Sequence, residues 1–153
     1  MKLEEAIKSS KFRDEGHKAS LNVLYTAWWL KSNFSSSLKE LGMTQEQFNV
    51  MRILKGKHPE EMCVKDIGSR MIEKSSNVPR IIDRLVDKKL VKRATSKEDK
   101  RETLISLTDK GIKHLAEASK VMEEVGQKLI GLSSEEAAQL NELLEKLRSA
   151  AEE

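Results

Sequence analysis

Between positions 75 and 101 the sequence gathers residues whose chemistry suits a nucleic-acid surface. In the run from Ser75 to Asp87, the polar residues Asn77, Arg80, Arg84 and Asp87 recur at spacings of three or four, and so do the apolar Val78, Ile81, Ile82, Leu85 and Val86. On a helix the first set shares one face while the second packs behind it. Arginine presents a planar fork to guanine O6 and N7, and asparagine can pair bidentately with adenine. Ser75 and Ser76, at the helix start, can offer hydroxyl and backbone N–H groups to a phosphate. A charged row is also what an ordinary solvated helix face looks like, so the surrounding elements must decide between the two readings.

Those elements are legible from periodicity and punctuation. Leu21, Leu24, Ala27, Trp28, Phe34, Leu38 and Leu41 follow helical spacing over residues 18–42, and Gly42 is placed to end that helix in the left-handed conformation. Thr44 and Gln47 have the spacing of a capping box, and Met43 with Phe48 that of a hydrophobic staple, so a second helix starts there and runs to about position 55. A very short strand is expected at 62–64, then a short helix at 65–71. The helix with the polar row follows, with Ser76 as its N-cap and Pro79 in the first turn, where a missing N–H costs little. Residues 90–95 and 102–107 read as two strands flanking a charged tip, 96–101. Thr108 is placed to cap a long amphipathic helix reaching Gly131. The capping box Ser133 to Glu136 then opens a last helix with a stripe of Leu140, Leu143, Leu144, Leu147 and Ala151, folded back as an antiparallel hairpin.

The net charge of +3 is too small to argue for a polyanion partner, but its distribution is uneven. Residues 62–110 carry 13 Lys and Arg against 8 Asp and Glu, whereas residues 111–153 carry 5 against 9. The basic excess therefore coincides with the polar helix and charged hairpin. A chain of 153 residues suffices to bury roughly two-thirds of its unfolded surface in one domain. No run approaches the roughly 18 apolar residues of a membrane span, and the first residues lack the apolar stretch of a secretory signal. With a single cysteine, Cys63, this predicts a soluble protein of the reducing cytoplasm with no membrane partner.

This order of elements, with Asn77-Val78-Pro79-Arg80-Ile81-Ile82-Asp83-Arg84-Leu85, Lys89-Leu90-Val91-Lys92-Arg93, Glu98-Asp99-Lys100-Arg101 and Ser106-Leu107-Thr108-Asp109-Lys110-Gly111, resembles the MarR family of transcriptional regulators. The resemblance spans residues 18–150 and is specific over 75–111. It implies a mainly α fold with a small β-wing (α+β). Residues 44–107 would form a winged helix-turn-helix, and residues 18–42 and 108–150 a helical dimerisation part. The implied partners are double-stranded DNA, as a pseudo-palindromic operator, and a second copy of the chain. The implied role of Arg101 is to enter the minor groove while Asp99 fixes its direction, with Lys97 and Lys100 adding attraction to phosphates. Two positions depart from the family pattern. Lys89 stands where glycine is usual, so a left-handed residue there costs about 1 kcal/mol or the turn differs. Pro79 stands where a hydroxyl is common.

Other residues point away from catalysis. His17, His58 and His114 are scattered with no HExxH or paired-cysteine spacing, and no nucleophile elbow, phosphate loop or dinucleotide fingerprint is present, so no metal, cofactor or enzymatic activity is expected. Cys63, between Met62 and Val64, reads as an inert structural thiol. Tyr25, Trp28, Trp29 and Phe34 cluster on the first long helix, as core or dimer packing or, alternatively, as Tyr25, Trp28 and Trp29 flanking a cleft for a small aromatic or anionic effector. Two rival classes remain: a winged-helix protein-interaction module that does not touch DNA, against which Arg80, Arg84 and Arg101 weigh, and a dimerisation fragment of a larger enzyme.

Overall fold

In the computed structural model, which describes residues 1–149, the chain folds as seven helices and three short strands. A short helix not anticipated from sequence, α1 (Leu3–Ala6), precedes α2 (Glu15–Lys39), whose first turn is capped by Asp14 accepting from His17 N–H at 2.7 Å. Helix α2 ends as expected: Gly42 has φ 64°, and Met43 N–H reaches back to the Leu38 carbonyl at 3.1 Å. Thr44 and Gln47 then cap each other's backbone N–H groups at the start of α3 (Gln45–Lys57). The helix-turn-helix consists of α4 (Val64–Arg70) and α5 (Val78–Asp87), preceded by β1 (Met62–Cys63).

One boundary needs correction. The N-cap of α5 is Asn77, not Ser76: its Oδ1 accepts from Arg80 N–H at 3.2 Å, and Pro79 consequently falls at the second helical position. Asparagine outranks neither serine nor aspartate as a cap, so propensity could not choose between adjacent candidates. At the other end of α5, Lys89 does adopt φ 59°, with Lys89 N–H bonded to the Val86 carbonyl at 2.8 Å and Leu90 N–H to that of Leu85 at 3.0 Å. The turn that glycine favours is thus kept, with a lysine in the left-handed position.

Strands β2 (Val91–Thr95) and β3 (Thr103–Leu107) pair antiparallel from Val91 opposite Leu107 to Thr95 opposite Thr103, and β1 adds to the far side of β3 through Met62 opposite Ile105. Val50, Met51, Leu54, Ile67, Ile82, Leu85, Ile105 and Leu115 form the core where α3, α4, α5 and the sheet meet the start of α6 (Asp109–Leu129). Burying these side chains, at roughly 1.5–3 kcal/mol each, is what holds the outward row of α5 in place.

The last helix, α7 (Ser134–Ser149), opens on the expected Ser133–Glu136 box, with bonds of 2.8 and 3.2 Å. It does not fold back on α6 as an antiparallel hairpin: among the described residues it packs substantially on no other element and buries none of its residues. A leucine stripe with no apolar partner in its own chain has no reason to turn inward, and Ala151, assigned to that stripe, lies outside the described residues.

Candidate nucleic-acid interface

The outward face of α5 and the tip of the β2–β3 wing carry the residues singled out from sequence. Arg80 and Arg84 are exposed, one turn apart, with Ile82 and Leu85 anchoring the opposite side. Together with Ser75, Ser76, Asn77, Thr44, Gln47 and Lys88 they line one open groove beside the helix. Within it the roles separate. Ser75 is exposed, whereas the Ser76 hydroxyl is covered and has no hydrogen-bond partner among the described residues. The Asn77 amide oxygen is engaged in capping, so Asn77 sets the start of the helix and is less available for bidentate pairing with adenine. Arg80 and Arg84 therefore remain as the outward-facing guanidinium groups of α5.

The wing tip is more ordered than a charged loop need be. Ser96, buried at the end of β2, accepts from the N–H groups of Glu98 and Asp99 at 3.3 and 3.2 Å, the pattern by which a serine hydroxyl closes a tight turn. Asp99 in turn holds Arg101 three ways: Oδ1 accepts from its backbone N–H at 3.0 Å and from Nε at 3.1 Å, and Oδ2 from Nη2 at 3.2 Å. These bonds to Arg101 keep the Asp99 carboxyl below the usual aspartate range. The Arg101 side chain nevertheless stays 91% exposed. An exposed pair of this kind adds little to stability, so its effect is directional: the guanidinium is aimed outward from a fixed base. Lys97 and Lys100 are exposed on either side of Asp99.

Three further groups tie this surface together without having been flagged from sequence. Asp83, on α5, pairs with Arg93, on β2, which locks the recognition helix to the wing. The Lys88 ammonium donates to Gln47 Oε1 at 3.1 Å and to the Gly42 carbonyl, and His114 on α6 contacts the Leu41 carbonyl at 3.0 Å, so two side chains meet carbonyls of the turn between α2 and α3. Ser96 at the wing tip had a local sequence signal, a hydroxyl residue opening a turn. The others join residues far apart in the chain.

The aromatic group splits. Tyr25 and Trp29 line a cavity of about 390 Å³ closed by Met1 and Leu3, on the side of the N-terminal segment rather than the helix-turn-helix. Trp28 packs on Tyr25 with ring centroids 5.4 Å apart and is otherwise exposed. The cleft that does lie between α2 and the helix-turn-helix, about 300 Å³, is lined by Ala27, Leu30, Lys31, Phe34, Met71 and Ile72 among others, and not by those three. Among the described residues no cluster of three or more His, Cys, Asp or Glu is placed to hold a metal ion, and no helix is long and apolar enough to cross a membrane. Cys63 caps α4, its Sγ accepting from Asp66 N–H at 3.4 Å.

Comparison with known proteins agrees with this geometry. Residues 32–118 match the family described as transcriptional regulator SarA/Rot. YkoM, an HTH-type transcriptional regulator of Bacillus subtilis, is 33% identical over 109 residues, covering 71% of this chain and 70% of its own. Among solved structures, a MarR-like transcription regulator from Bacillus cereus superposes with a TM-score of 0.79 at 21% identity, covering 89% of this chain and 97% of its own. The MepR–DNA complex of S. aureus superposes with a TM-score of 0.77 at 26% identity, covering 86% and 96%. With an exposed arginine row on a helix-turn-helix, an arginine-tipped wing and these relatives, the chain belongs to the SarA/Rot family of MarR-like winged helix-turn-helix proteins and is a DNA-binding transcriptional regulator.

Proposed function

We propose that the protein acts in the cytoplasm as a homodimeric, sequence-specific repressor. Two copies join through α2, α6 and α7 and lay their α5 helices in major grooves on one face of a pseudo-palindromic operator, with each Arg101 in a flanking minor groove. Arg80 and Arg84 read bases, Ser75 meets phosphate at the helix start, and Lys97 and Lys100 supply sequence-independent attraction. The observation that carries this reading is the bidentate hold of Asp99 on an Arg101 that remains 91% exposed: a solvated loop has no need to aim its guanidinium.

Dimerisation is supported by what the single chain leaves uncovered. Of the 25 residues of α2 only Leu38 is buried, and α7 buries none, while Leu24, Trp28, Leu143 and Leu147 stand exposed. Apolar faces of this extent mark an interface. Repression follows because an occupied operator excludes polymerase. A small aromatic or anionic effector, if it acts on this chain, fits the apolar cleft between α2 and the helix-turn-helix better than the Tyr25–Trp29 cavity, because only the former adjoins the segment leading to α5.

Selection from a randomised duplex pool, followed by affinity measurement at increasing salt, tests the reading. A two-fold-related motif should emerge, with affinity falling linearly on a log–log plot as salt rises. Absence of any enriched motif would remove sequence-specific recognition.

A further inference from the structure

We propose that Lys31, which does not itself line the groove beside α5, is a positioning residue for DNA recognition: with Glu73 and Glu46 it forms an ionic latch that holds the entry to α5 against α2. Its Nζ lies 2.7 Å from Glu73 Oε2 and 3.8 Å from Glu46 Oε1. Glu73 stands in the segment between α4 and α5, four positions before the cap Asn77.

What makes the latch consequential is the gap it spans. Helix α2 packs on α3 and α6 but not substantially on α4 or α5. Between α2 and the α4–α5 segment lies the cleft that separates Ala27, Leu30 and Phe34 from Met71 and Ile72. The core anchors α5 itself through Val78, Ile82 and Leu85, but little apolar packing spans the gap between α2 and the segment leading into α5, and polar bonds across the rim bridge it. Two neighbours brace the same rim. Gln45 Nε2 donates to the Lys31 carbonyl at 2.5 Å and to Ser35 Oγ at 3.0 Å, and Ile72 N–H donates to Asn49 Oδ1 at 2.9 Å. The hydrogen bond to Glu73 also keeps the Lys31 ammonium above the usual lysine range, as a working ion pair does. Because α2 carries the uncovered face assigned to the dimer and Glu73 leads into the reader, the latch couples the two.

The inference rests on α5 as the DNA reader and makes a prediction of unexpected sign. Glu73 lines the same groove as Arg80 and Arg84, so on charge alone Glu73→Gln should strengthen binding to a polyanion. As a latch component it should instead weaken it. The experiment measures full-length protein on a duplex selected by the wild type from a randomised pool, with Lys31→Met, Glu73→Gln, the double variant and Lys31→Arg. Each neutral single variant should weaken binding about fivefold, the scale of one exposed pair lost in each of two protomers. The double variant should be no worse than either single, because both remove the same interaction. Lys31→Arg should stay within about twofold of wild type, since it keeps the charge pair. Glu73→Gln binding as well as or better than wild type, or a double variant losing the product of the single losses, would overturn the latch. Should Lys31→Met fail to fold, Glu73→Gln alone still decides by the sign of its effect. Arg84→Ala, measured in parallel, reports separately on α5 as the reader.

Discussion

The hydroxyl of Thr108 donates to the carbonyl of Lys89 at 2.7 Å, so the residue that caps α6 also closes the turn that ends α5. The same side chain accepts from Gly111 N–H at 3.0 Å, the Thr108 N–H meets the Leu90 carbonyl at 3.1 Å, and Lys110 Nζ reaches the Lys88 carbonyl at 3.1 Å. The end of the recognition helix is thereby fastened to the start of the long helix assigned to dimerisation. Through these bonds the orientation of α5 is tied to that of α6.

Gly111 is required by that junction. A Cβ at this position would overlap the Leu90 backbone carbonyl, which cannot yield as a flexible side chain would. Gly111→Ala should destabilise the fold by about 1–3 kcal/mol, visible as a lower urea midpoint. An unchanged midpoint would show that α6 sits less tightly on the α5–β2 turn than described.

Lys89→Gly should do the reverse. A left-handed lysine costs about 1–2 kcal/mol, partly offset by the greater freedom glycine gains in the unfolded chain, which leaves a net gain of about 0.5–1 kcal/mol. The urea midpoint should rise with no change in slope.

Arg84→Ala and Lys100→Ala separate reading from attraction. The first should cost about 1–3 kcal/mol and relax preference at one base position. The second should lower affinity for all sequences alike and flatten the salt dependence. Binding of the two variants to the selected duplex and to a scrambled one, over a salt series, distinguishes the outcomes.

Asp99 should act on the direction of Arg101 and not on folding. Its carboxyl is held below the ordinary aspartate range, so the pair is fully formed above that range and is lost as pH falls through the lowered value. Asp99→Asn at neutral pH should therefore reproduce what acid does to the wing. Preference for A·T-rich flanks should fall, with thermal stability unchanged.

The fold was legible where the signal is local. Gly42 after an amphipathic run, Thr44 with Gln47, Ser133 with Glu136 and the strand-forming run Thr103-Leu104-Ile105 each carry their cause within a few residues, and each element appears where it was expected. The N-cap of α5 slipped by one position because two neighbouring residues can both cap. The orientation of α7 escaped because its leucines specify burial without saying against what. At the interface, the pairing of Asp99 with Arg101 was implied by the family resemblance, whereas Asp83 with Arg93 and Lys31 with Glu73 join separate elements and leave no mark in local sequence.

Truncation after Gly131 tests the assembly. Without α7 and its exposed leucines, residues 1–131 should sediment as monomer or aggregate. A stable, soluble dimer of that fragment would move the interface elsewhere.

Two α5 helices held by the proposed dimer should read DNA from the same face, which fixes the spacing of the half-sites. Half-sites should lie about one helical turn apart, roughly 10 to 10.5 base pairs centre to centre. Affinity is measured on duplexes built from the selected motif, with the natural spacing and with about half a turn, roughly five base pairs, inserted. Insertion should abolish tight binding by turning one half-site to the opposite face, while exchange of A·T for G·C in the flanks should weaken wild type and leave Arg101→Ala unaffected. Equal affinity at every spacing would mean independently bound heads or non-specific attraction, and would contradict the account.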